Sequence, residues 1–201
     1  MLKDLNDVRS YTERVASALP EIAAEIVFRP GGASEVDLTK LASEIGLPPI
    51  YVACASAWGF FGVSLGYFAL WPSLRRDGNL VTALVEANRN NEAPAALARS
   101  KDLVIVGREE ANCICVGGAG AKNEDIVYYM NTMSSPQWAI SEIADSFEKF
   151  VILAANAHEI AYSELGSIAN GTAAMARNCN YLGCNASQSE FWERKVSEIL
   201  V

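Results

Sequence analysis

The sequence predicts an α+β protein: a central, mostly antiparallel sheet flanked by helices, with extra helices at both ends of the chain. Three observations lead there. Three apolar, β-branched or aromatic segments, Leu103-Val-Ile-Val-Gly107, Cys113-Ile-Cys-Val116 and Ile126-Val-Tyr-Tyr-Met130, follow one another closely. Their short polar or glycine-bearing links favour antiparallel pairing, because a parallel crossover needs a dozen or more residues. Segments with apolar residues three or four apart lie before and after this group, so the strands are clustered and do not alternate with helices as in a Rossmann protein.

The elements follow in order. Leu5, Val8, Tyr11, Val15 and Ala18 mark a first helix ending before Pro20, and a short helical piece runs from Glu21 to about Phe28. The breaker cluster Arg29-Pro-Gly-Gly-Ala33 separates an N-terminal helical arm, residues 1–33, from the main domain. Ser34-Glu-Val-Asp37 reads as a capping box for a helix carrying Leu38, Leu41 and Ile45 and closed by Gly46. A further helix begins at Pro48 or Pro49 and stops at Gly59, with Ile50, Cys54 and Trp58 on one face. Tyr67-Phe-Ala-Leu-Trp71 has strand character and is ended by Pro72; Asp77-Gly78 marks a turn, and Asn79 caps a helix from Leu80 to about Arg89. After the three strands a long helix is expected from Ser141 to about Asn156, through Ile143, Phe147, Phe150 and Val151. The rest, from His158, reads as mainly helical with a Gly- and Asn-rich interruption and a short amphipathic helix around 191–199.

Composition narrows function. The 201 residues carry a net charge of −8, 51% hydrophobic and 20% charged residues, the balance of a globular protein able to bury a full core. Sixteen scattered Lys and Arg residues cannot form the phosphate-neutralising surface of a general nucleic-acid binder. The charge-alternating start lacks the apolar stretch of a secretory signal, and an odd number of cysteines, five, fits a reducing compartment, so a cytoplasmic protein is expected. Residues 47–74 lack any charge, but prolines at both ends and Gly59, Gly62 and Gly66 within make this a buried helix, turn and strand; no membrane association is expected.

Each candidate chemistry has a plainer structural counterpart. The lone His158 has no nucleophile motif beside it and reads as a satisfied or surface residue. Cys113 and Cys115 share a strand face, and with Cys179 and Cys184 they make four thiols. Their spacing departs from zinc knuckles and suits small buried hydrophobes, so no metal or other cofactor is expected. Gly117-Gly-Ala-Gly-Ala-Lys122 follows a strand as a phosphate loop would, yet lacks the Gly-Lys-Ser/Thr step into a helix. Glu109-Glu110 and Glu124-Asp125 flank the middle strand; they are solvated turns or, if they converge, a surface for a basic ligand.

Taken together, Leu38-Thr-Lys-Leu41-Ala-Ser-Glu44-Ile-Gly46-Leu-Pro48-Pro-Ile-Tyr51, Ala57-Trp58-Gly59-Phe60 and Tyr67-Phe-Ala-Leu-Trp71-Pro72 resemble the opening of the SMI1/KNR4 (SUKH) superfamily. Val104-Ile-Val-Gly107, Cys113-Ile-Cys115 and Val127-Tyr-Tyr129 resemble its sheet strands, and Ile143-Ala-Asp-Ser-Phe147-Glu-Lys-Phe150 its closing helix. Ala57-Trp58-Gly59 stands where an Asn-Gly pair is common. The resemblance defines a domain over residues 34–155 and leaves 156–201 as a helical extension packed on it. It implies a non-enzymatic immunity protein that binds and neutralises a cognate polymorphic toxin, such as a basic nuclease, in interbacterial competition. A signalling or scaffold role through protein contacts is the alternative. On either reading the expected partner-binding residues are Glu109, Glu110, Glu124, Asp125 and the aromatic Trp71.

Overall fold

The computed structural model describes residues 1–30, 33–73, 78–133, 139–163 and 167–200. Gly31 and Gly32 of the expected breaker and Asp77 of the expected turn lie outside them. Helix α1 (Leu5–Ala18) is capped by Asp4, whose carboxylate accepts from the amides of Asn6 and Asp7. A 3-10 turn (Pro20–Ile22) and the short α2 (Ala23–Ile26) follow. The Ser34 hydroxyl oxygen accepts from the Asp37 amide at 3.1 Å to open α3 (Glu35–Ile45), and Gly46 ends it in the left-handed region at φ 75°.

Helix α4 (Pro49–Trp58) places proline in its first turn and ends at Gly59, φ 70°. Gly59 is doubly constrained: a Cβ there would lie 1.8 Å from the Arg29 carbonyl oxygen, which is where the N-terminal segment crosses this turn. We expect Gly59→Ala to cost about 1–3 kcal/mol through backbone strain alone, with the steric overlap adding to it, read as a lowered urea midpoint. At Gly46 a Cβ would meet nothing within 4 Å, so Gly46→Ala should cost less.

The sheet is a plain antiparallel meander, β1 (Ser64–Leu65), β2 (Phe68–Ala69), β3 (Leu103–Glu109), β4 (Asn112–Gly117), β5 (Val127–Asn131) and β6 (Ala139–Ala144), in that spatial order. Only Phe68 and Ala69 of the expected 67–71 strand are strand residues. Between β2 and β3 lie α5 (Leu80–Arg89), capped by Asn79 at 3.0 Å to the Thr82 amide, and α6 (Ala93–Ser100), which the sequence reading lacked. The signals for α6 are Pro94 in a first turn and Ala95 and Ala98 three apart; alanine alone makes a weak apolar stripe.

The helix expected from Ser141 is corrected in the structure. Residues 139–144 form β6, the edge partner of β5, and α7 (Phe147–Tyr162) starts only after Ser146, whose hydroxyl oxygen accepts from the Lys149 amide. Ile140 and Ile143 are three apart, which suits a helix, but pairing with β5 satisfies this backbone as a strand. Helix α7 also runs past Asn156, which sits fully buried within it: its side chain accepts from the Leu2 amide and donates to the Leu2 carbonyl, both at 2.9 Å. Helices α8 (Ile168–Tyr181) and α9 (Ala186–Ile199) complete the chain.

The main core lies on one face of the sheet and joins Val104, Val106, Ile114 and Tyr129 to α4, α7 and α9; Leu5, Val8 and Tyr11 of α1 belong to it. Phe68, Phe150 and Trp192 meet with ring centroids 5.3–6.1 Å apart, and the Trp192 indole N–H donates to the Ile143 carbonyl. A smaller cluster on the other face packs α6 through Ala95 and Ala98 against Leu103, Ile105, Cys115 and Met130. The N-terminal arm and the C-terminal extension thus share one core with the 34–155 region, and the 155/156 boundary falls inside α7. Among the described residues no helix is long and apolar enough to cross a membrane.

Candidate functional site

The two acidic pairs expected to converge stand at opposite ends of β4, Glu109-Glu110 before it and Glu124-Asp125 after it. Six strand residues separate them by about 20 Å. Glu109 and Glu110 also differ from one another. In β3, Leu103 and Ile105 face α6 while Val104 and Val106 face the main core. A bulge between Ile105 and Gly107 then resets the alternation, so that Arg108 pairs with Cys113 and Glu109 turns inward.

Glu109 is therefore an interior residue. Both its carboxylate oxygens accept from Lys195 Nζ of α9 at 2.9 Å, with the two side chains only 8% and 9% exposed, and the Tyr129 hydroxyl donates to the same carboxylate. Lys195 makes a second ion pair at 2.9 Å with the half-exposed Glu198, and lies 4.8 Å from the Tyr129 ring centroid. Burial first, and then the hydrogen bond to Glu109, pushes the Tyr129 hydroxyl well above the ordinary tyrosine range. This cluster fastens α9 to the sheet and leaves Glu109 no surface to offer.

Trp71 is likewise interior, 1% exposed, against Phe61 with centroids 6.1 Å apart; its indole N–H has no hydrogen-bond partner among the described residues. Arg108 lies over its ring at 5.9 Å and donates to the Ser73 carbonyl at 2.7 Å. Of the expected partner-binding residues, Glu110 is exposed, at φ 51° on the β3–β4 turn, while Glu124 and Asp125 are half-buried. Burial and the neighbouring Glu124 raise the Asp125 carboxyl.

The glycine-rich connection after β4 binds its own backbone. The amides of Gly117, Gly118, Ala119 and Ala121 donate to the carbonyls of Ile126, Asp102, Gly46 and Gly118, and that of Gly120 to the Glu124 carboxylate, at 2.8–3.1 Å. These are the donors a phosphate cradle would need free. A 390 Å³ cavity lies beside the loop, lined among others by Gly46, Arg99 and Asp102, but Arg99 is engaged at the Asn88 and Asn90 carbonyls.

The histidine and the two β4 cysteines are also enclosed by the fold. His158 is 4% exposed, its Nδ1 is 2.6 Å from the Tyr11 hydroxyl, and its ring stacks on Tyr162; burial lowers it to about 4. Cys115 is fully buried and Cys113 half-buried among α6 and the sheet, and burial pushes the Cys113 thiol up to about 11. No group of three or more metal-ligating side chains comes together among the described residues.

What the fold does assemble is an acidic rim around Glu110. Glu86 of α5, Glu92 before α6 and Glu110 line two adjoining cavities of 370 and 180 Å³, which share Pro72, Ala87, Asn90 and Glu92. All three carboxylates are exposed. Glu86 and Glu92 were missed in the sequence because nothing placed the α5–α6 corner beside the β3–β4 turn once α6 itself went unseen. The rim offers recognition by charge and shape, and among the described residues no nucleophile and base stand together in it.

Comparison with family models, with curated proteins and with solved structures gives no match to this chain. The resemblance to SMI1/KNR4 proteins accordingly rests on the order of the sequence motifs from Leu38 to Phe150.

Proposed function

We propose that this chain is an immunity protein that binds and neutralises a cognate toxin through protein contacts, with a basic nuclease as the kind of partner its charge suits. The carrying observation is the ordered series of SMI1/KNR4-like motifs over residues 38–150. Two features support it. A net charge of −8 steers the chain toward a phosphate-binding, and therefore basic, partner. The exposed carboxylates of Glu86, Glu92 and Glu110 ring a concave surface.

The test is purification of the tagged chain at low salt from its native cells, with mass spectrometry of whatever accompanies it. A stoichiometric toxin supports the reading; a chain that emerges alone from toxin-expressing cells refutes it. With a toxin in hand, Glu86→Lys, Glu92→Lys and Glu110→Lys combined should slow association about tenfold or more at low salt, an effect that fades as salt rises. Each alone should change folding stability by no more than about 0.5 kcal/mol, since all three are exposed. The same reversal at Glu124 and Asp125, at the far end of β4, reports whether the contact extends there.

A further inference from the structure

The α8–α9 turn holds a feature that the binding reading does not use. Gly183, at φ 68°, lets the chain turn back over the end of α8, with the Cys184 amide donating to the Cys179 carbonyl at 2.9 Å and the Gly183 amide to the Asn180 carbonyl at 3.2 Å. These are the paired bonds of a Schellman helix end, a motif that brings the side chains of its first and sixth residues into contact, usually as an apolar pair. Here both residues are cysteines, which the motif sets side by side at the margin of the main core. Cys179 is fully buried, while Cys184 is half-buried.

We propose that Cys179 and Cys184 are a redox pair, in which Cys184 is the site of attack on a hydroperoxide and Cys179 the resolving thiol of an intramolecular disulfide. The asymmetry in exposure assigns the roles: of the two, Cys184 is the one that solvent reaches, and the helix end sets the buried Cys179 beside it. The neighbouring Cys179 thiol lowers Cys184 against the opposing effect of burial, with Lys149 adding to the lowering, whereas the Cys179 thiol is pushed up by Cys184 and by burial. Lys149 is fixed in place through the Gly183 carbonyl at 3.1 Å and Asp145 at 2.7 Å.

In the first step the Cys184 thiolate sulfur attacks a peroxide oxygen; an S–O bond forms, the O–O bond breaks, and the leaving oxygen takes a proton as water or alcohol. In the second, the Cys179 sulfur attacks Cys184, the S–S bond forms, the S–O bond breaks, and the Cys179 proton leaves with the oxygen as water. Two thiols lose two electrons and the peroxide gains them. Two molecules of a small thiol restore both cysteines by exchange: the first forms a mixed disulfide and frees one protein thiol, and the second frees the other as the two small thiols leave as their own disulfide. The disulfide would staple the end of α8 to Asn185, the cap of α9, whose own capping box with Gln188 sets the direction of the helix that carries Trp192 and Lys195.

The experiment treats the reduced full chain with hydrogen peroxide and maps its thiols by mass spectrometry. We expect the five titratable thiols to fall to three, with a loss of about 2 Da in the segment spanning Cys179 and Cys184. Five persisting thiols, a disulfide between another pair, or Cys184 sulfinic acid beside an intact Cys179 thiol would each overturn the proposal. Before oxidation, Cys184 should alkylate about tenfold or more faster than Cys113 and Cys54, whose thiols are pushed up to about 11 and about 12. Cys184→Ser should leave Cys179 unoxidised; oxidation of Cys179 in that variant, with its near-UV circular dichroism intact, would refute the assigned roles.

Discussion

Lys195→Met is expected to be among the most damaging single substitutions in this protein, lowering stability by about 3–5 kcal/mol in urea denaturation. The lysine lies in the interior with Nζ shared between both oxygens of Glu109. Removing it leaves a carboxylate that is 8% exposed with, among the described residues, only the Tyr129 hydroxyl as donor. A charge in that position costs far more than the ion pair contributed, because desolvation is no longer offset. Glu109→Gln should be milder: Lys195 keeps Glu198 at 2.9 Å, and that carboxylate is 49% exposed, so the cation retains a hydrated partner. Replacing both members, Lys195→Met with Glu109→Leu, should recover most of the loss, since apolar groups of similar size suit the site. A Lys195→Met chain within about 1 kcal/mol of the parent would mean that water reaches Glu109 and that the pair does not fasten α9 to the sheet.

Acidification should weaken the protein through His158 before most carboxylates titrate. The unfolded chain binds a proton at His158 near pH 6.5, whereas in the folded chain burial lowers this to about 4. Between those values the unfolded state holds more protons, so stability falls as pH drops from 6.5 to 4, and this group adds nothing further below 4. The shift amounts to about 3 kcal/mol in all. The groups around the ring supply no relief: Tyr11 is hydrogen-bonded to Nδ1, Tyr162 packs on the ring with centroids 4.3 Å apart, and the nearby Glu159 is paired with the Met1 amine at 3.1 Å. Because α1 meets α7 at this contact, protonation should loosen α1 first, visible as amide exchange there. His158→Gln removes the titration and keeps a polar side chain; its stability should lie below the parent at pH 7 yet fall less steeply toward pH 4. Parallel slopes for the two chains would show that His158 does not couple to folding.

Much of the fold was legible locally. Ser34, Asn79 and Gly46 set helix ends through their own side chains or φ values, and they act where their spacing placed them. Leu5, Val8 and Tyr11 turn one helical face inward, as their spacing of three requires. Two elements were lost for a common reason. In α6 the buried residues are alanines, and in β6 the isoleucines fit a helix as well as a strand; in each case a neighbouring strand or sheet face, remote in sequence, decided the outcome.

The binding residues divide the same way. By itself the sequence determined the charge of the molecule and its α+β class, because these depend on composition and on short-range spacing. Only the tertiary structure decided that Glu109 is a buried partner of Lys195, 86 residues away, while Glu110 beside it is exposed. One extra residue in β3 reverses which face every later side chain occupies, and a helix from the end of the chain supplies the counter-charge. Neither the bulge nor the long-range pairing has a local signature, so the burial of a charged residue was set by the packing of the whole chain.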